Sequence, residues 1–72
     1  MIKKKVRGLT LEDIDNCRLF KDRKGTEEIT GDTIKLYDGF MHIGFMLGDR
    51  MIDVSKIEPN DNVYLVSMEG LV

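Results

Sequence analysis

A single cysteine, Cys17, and a single histidine, His42, stand among 72 residues. One cysteine excludes an internal disulfide, and one cysteine with one histidine falls short of a zinc site. Long apolar runs are also missing. The richest apolar stretch, residues 40–47, is too short to span a bilayer and contains His42. Met1-Ile2-Lys3-Lys4-Lys5 is not followed by the apolar core of a signal peptide. These absences predict a cytoplasmic protein with no membrane partner. Internal repeats, low-complexity tracts and linkers are lacking too, so residues 1–72 are expected to form one domain.

The motifs of catalysis are equally scarce. There is no Gly-rich phosphate loop, HExxH pair or nucleophile elbow. The carboxylates are scattered, and an acid/base pair would have to be assembled by the fold. Cys17 beside Arg18 invites a reactive thiol, because a cation lowers thiol pKa, yet a lone cysteine is more often a small buried hydrophobe. The expectation is a non-enzymatic protein without cofactor or metal.

What is present is a patterned stretch, residues 33–54. Asp38-Gly39 and Gly48-Asp49 each interrupt apolar alternation as two-residue hairpin turns do. They divide the stretch into an antiparallel meander over 33–37, 40–47 and 50–54. Tight turns would set Tyr37 against Phe40, Leu36 against Met41 and Ile34 against Ile43. They would also set Met46 against Met51, Phe45 against Ile52 and Ile43 against Val54. One face then gathers Ile34, Leu36, Met41, Ile43, Phe45, Leu47, Ile52 and Val54, which is the expected core. Gly44, in mid-strand, signals a bulge or the close approach of another backbone.

The opposite face holds Tyr37, Phe40, His42, Met46 and Met51, too apolar for a surface left bare. His42 faces Lys35 and Ser55 in this register, with no carboxylate opposite, so a structural histidine is expected. A chain this short buries only roughly 60% of the surface it exposes unfolded. Small scaffolds make up the difference with disulfides, metals or self-association. With the first two excluded, a homodimer using this face is expected, and the same surface suits a partner protein.

The flanks are read with less redundancy. Thr10-Leu11-Glu12-Asp13 resembles a capping box with Asp in place of Glu, and predicts a helix over 10–22 that ends near Gly25. Leu19 and Phe20 fall off its apolar stripe, so residues 17–21 could instead be a strand. Residues 25–32 read as a connection with a short strand around Ile29. Ser55–Pro59 suggests one helical or 3₁₀ turn. Val63–Met68 is a possible extra strand, apolar on both sides, whose edge is a second candidate dimer contact. Gly70-Leu71-Val72 reads as a loose end.

The resulting fold class is α+β, an N-terminal helix packed on the apolar face of an antiparallel meander. The competing architecture is a small SH3-like barrel in which 2–7 and 17–21 are strands.

Charge is uneven. Residues 1–24 carry a net +4 and residues 25–72 a net −6. Lys3, Lys4, Lys5 and Arg7 could act as a nucleic-acid-contacting arm, and Tyr37, Phe40 and His42 imitate a base-stacking face. The acidic remainder opposes phosphate approach, which ranks this reading second.

The stretches LTLEDIDNCRLFKDRKG and YDGFMHIGFMLGDRMIDV, with the overall size, resemble the small uncharacterised prophage proteins of bacilli of the YopT kind. That resemblance implies a phage accessory protein, a homodimer whose monomer has one helix and three strands, with no assigned activity or site residues, and makes a host or phage protein the expected further partner. A strand at 63–68 fits that expectation poorly.

Overall fold

Both hairpin turns form where their Gly/Asp pairs place them. Asp38 and Gly39 have φ of 56° and 81°, and Gly48 has φ of 66°, left-handed values that these turns require. In the computed structural model, which describes residues 1–68, six strands are found among those residues. They are β1 (Ile2–Lys5), β2 (Cys17–Phe20), β3 (Thr33–Tyr37), β4 (Phe40–Leu47), β5 (Arg50–Ile57) and β6 (Asn62–Ser67). They form two antiparallel three-stranded sheets, ordered β1-β6-β2 and β3-β4-β5.

The meander register agrees with expectation across the whole of β3–β4 and from Leu47/Arg50 to Gly44/Asp53. It then slips. Ile43 pairs with Ser55 rather than Val54, because a bulge lies between Ile43 and Gly44. The bulge follows from Gly44: a Cβ there would fall onto the carbonyl oxygen of Ile52, so β5 crosses closer than any other residue would permit. Val54 is the residue left over, and it is 69% exposed.

The helix is much shorter than the sequence predicts. α1 spans Leu11–Asn16, and none of its residues is buried. Its start is as read: the Thr10 hydroxyl accepts from the Asp13 amide and the Asp13 carboxylate accepts from the Thr10 amide, both at 3.1 Å. Its end differs because Leu19 and Phe20 point to different sides of a helix. As neighbours in a strand each finds cover, at 3% and 6% exposure. Residues 17–20 are therefore strand, the option kept open at 17–21. Gly25 closes the following turn instead of the helix.

Residues 62–67 are also strand, and they occupy the centre of their sheet. Ile2 and Leu19 both pair with Leu65. Flanked on both sides, β6 has no free edge, which removes it as a dimer contact. The segment around Ile29 runs beside β2, with the Ile29 amide donating to Leu19 and a single bridge at Glu28. Residues 55–57 continue β5, and the expected turn falls at 58–61, where the Asp61 amide donates to the Glu58 carbonyl. The suggested loose end at 70–72 lies outside the described residues.

One apolar cluster joins the two sheets. Leu19, Val63 and Leu65 enter it from the first, Met41 and Ile43 from the second, and Val6, Leu9 and Ile29 from connections. Burying each such side chain contributes about 1.5–3 kcal/mol. The meander's apolar face is thus covered by β-structure and the 3₁₀ turn Val6–Gly8, with Ile14 of α1 only at the margin. Cover reaches Met41 and Ile43 and goes little further. Phe45, Leu47 and Val54, placed in the core by alternation, are all exposed. Among the described residues no helix is long and apolar enough to cross a membrane.

Candidate interaction surfaces

The face predicted from Tyr37, Phe40, His42, Met46 and Met51 exists as one surface of the meander. Met46 and Met51 are cross-strand partners, as are Tyr37 and Phe40. The His42 ring lies 6.3 Å from that of Tyr37, edge-on, and 6.4 Å from that of Phe40. Lys56 stands 4.8 Å over the Phe40 ring, a cation–π contact made possible because the bulge brings Lys56 opposite His42. Tyr37, His42 and Met51, with Lys35 and Asp53, line a shallow groove of about 250 Å³.

A carboxylate does reach His42, contrary to the sequence reading. Asp53 pairs with Gly44, and the missing side chain there lets its Oδ2 come within 3.5 Å of His42 Nδ1. At that distance the contact is an ion pair when the ring is protonated, too long for a firm orienting hydrogen bond. Among the hydrogen bonds of the described residues, none links His42 to another side chain in the manner of a nucleophile and its base. Cys17 is half-buried and packs against the core beside Ile14, the behaviour of a small hydrophobe. Among the described residues no three His, Cys, Asp or Glu side chains gather as metal ligands do.

Beyond Gly44 the β4–β5 hairpin is exposed on both faces. Phe45, Leu47 and Val54 add to Tyr37 and Met46, so five of the nine large apolar residues left exposed among the described residues belong to this sheet. Alternation in the sequence marks the two faces of a strand but not how far the strand projects past its cover. Sequence reasoning therefore missed Phe45, Leu47 and Val54 as surface residues.

The basic segment Lys3, Lys4, Lys5 and Arg7 is no free arm. Lys3, Lys4 and Lys5 are built into β1, paired with Tyr64, Val63 and Asn62. Lys4 binds the Asp13 carboxylate at 2.9 Å, which holds that acid below the usual carboxylate range, and Arg7 donates to the Asn60 side chain at 2.9 Å. Two of the four cations are thus occupied within the chain. Lys3 and Lys5 alone remain available, on the sheet face opposite the core.

Two further charge clusters tie the 18–28 region together. Arg18 grips Glu28 at 2.8 and 3.0 Å while lying over the Phe20 ring, and this lowers the Glu28 pKa. The Thr26 hydroxyl donates to Asp22 at 2.6 Å, and the Thr26 and Glu27 amides donate to the same carboxylate. Those donors hold Asp22 at about 2. Both clusters brace a turn.

Comparison with protein-family models, with curated proteins and with solved structures gives no match to this chain.

Proposed function

We propose that the protein is a non-enzymatic interaction module that works as a homodimer, closed through the projecting β4–β5 hairpin. The observation that carries this reading is the exposure of Phe45, Met46, Leu47 and Val54 on both faces of one hairpin. A soluble monomer seldom leaves so much contiguous apolar surface bare.

A second copy is the favoured occupant. Among the described residues the outer edge of β5 is unpaired, since the sheet order ends there, and an edge strand can pair antiparallel with its own copy about a two-fold axis. The resemblance to prophage proteins noted in the sequence supports the same reading, and the proposed role is that of a phage accessory protein.

Light scattering after size exclusion, over a range of concentrations, tests the reading. The expected mass is twice that of the chain, falling to one chain in the double variant Phe45→Lys, Leu47→Glu while its dichroism spectrum is kept. A wild-type monomer at every concentration would overturn it.

A further inference from the structure

The face of the β1-β6-β2 sheet that points away from the core carries a second surface, joined at one end by Lys56 and Ile57 of β5 and separate from the apolar hairpin tip. Lys3, Tyr64 and Phe20 are successive cross-strand partners, so their side chains lie in one row across the sheet. Tyr64, half-buried, separates two grooves. One, of about 450 Å³, is lined by Lys21 and Lys56 with Ile57, Asp61 and Asn62. The other, of about 410 Å³, is lined by Lys3 and Arg23 with Met1. Lys5 stands two positions along from Lys3 on the same face, opposite Asn62.

The charge balance of this face is basic although the chain as a whole is acidic. Lys3, Lys5, Lys21 and Arg23 make no ion pair with any described acid. Among the described residues Asp61 is the only carboxylate lining either groove. Glu28 is bound to Arg18 and does not neutralise the free cations. Asp22, held by the neutral donors of Thr26 and Glu27, keeps its charge and offsets part of the excess from its chain neighbours Lys21 and Arg23. Arg18 is itself spent on Glu28 and on the Phe20 ring and adds nothing outward.

We infer that this face binds single-stranded nucleic acid, with Tyr64 as the stacking platform and Lys3, Arg23, Lys21 and Lys56 as the phosphate contacts on either side. A strand crossing the sheet meets cations, then an aromatic ring, then cations, which is the order phosphate, base, phosphate. An acidic peptide would satisfy the lysines and leave the ring without a planar partner. A duplex keeps its bases stacked inside and could use only the charges. The cations that do this work come from β1, the turn after β2, and β5, and only Lys3 is shared with the occupied basic segment at the N-terminus.

The test is fluorescence anisotropy of the full chain with labelled oligothymidylate of about ten nucleotides, a length within the range one small sheet module covers. Four neutralised phosphates give a slope of log K against log salt near −3, at roughly 0.7 per phosphate. Tyr64→Leu should weaken binding about tenfold and Tyr64→Phe about twofold or less, since a stacked ring is what is lost or kept. Lys21→Gln with Arg23→Gln, both on the solvent side and harmless to folding, should reduce the slope by roughly 1.4. Thermal melting confirms that each variant is folded. The inference is overturned by absence of saturable binding, by equal affinity for a duplex of the same length, or by a folded Tyr64→Leu variant that binds as well as the wild type. Because Phe45 and Leu47 lie toward the hairpin tip and Lys56 pairs with His42 toward its other end, the monomeric Phe45→Lys, Leu47→Glu variant should still bind.

Discussion

Gly44 is the residue with the largest consequence for its size. Its lack of a side chain admits β5, creates the bulge, expels Val54 and brings Asp53 to His42. Gly44→Ala must push the Ile52 backbone away, and overpacking of this kind costs about 1–3 kcal/mol, occasionally more. A urea midpoint close to that of the wild type would show that the two strands can part cheaply. Met41, fully buried between the sheets, is the counterpart in the core. Met41→Ala should cost about 2–5 kcal/mol, read from the same titration. Alternation alone would have ranked Met41 and Phe45 equally, since both sit on the meander's apolar face, yet Phe45 is 41% exposed.

At the scale of elements, local signals succeeded where the chain's neighbours could satisfy them. The capping box, both turns and the pairing of β3 with β4 were legible because each depends on residues a few positions apart. The length of the helix was not, because Leu19 and Phe20 gain more from pairing with β6, which lies more than forty residues away, than from extending α1. The turn after β2 offers a test with a sign. Donors from Thr26 first, and then from Glu27, bring Asp22 from its ordinary 3.8 to about 2. A carboxylate whose folded value is depressed stabilises the fold above its unfolded value and loses that contribution as pH falls through the folded one. Asp22→Asn should therefore be less stable than the wild type at neutral pH and converge on it between about pH 4 and pH 2. Asp13 and Glu28 titrate alike in both proteins, so the difference between their urea midpoints isolates Asp22. Parallel pH profiles would refute the role of this loop.

For the whole molecule, the two sheets present different surfaces. One exposes an apolar hairpin and the other a basic face around Tyr64, and a core of modest size lies between them. If the hairpin closes a dimer, stability is linked to concentration by mass action. The thermal midpoint should rise as wild-type protein is concentrated and stay constant for the Phe45→Lys, Leu47→Glu variant. A wild-type midpoint independent of concentration would count against self-association as the supplement to a small core.

The sequence by itself determined the meander, its turns, its early register, the start of the helix and the gathering of Tyr37, Phe40, His42, Met46 and Met51 on one face. All of these follow from period-two alternation and from turn and cap chemistry, which act over a few residues. Only the tertiary structure decided that 17–20 and 62–67 complete a second sheet, that this sheet covers just the near half of the meander, and that Tyr64 stands between cations drawn from three separate segments. Those outcomes rest on pairings between residues tens of positions apart. Which buried surface is shared by which strands is set by the packing of the whole chain, and no local pattern encodes it.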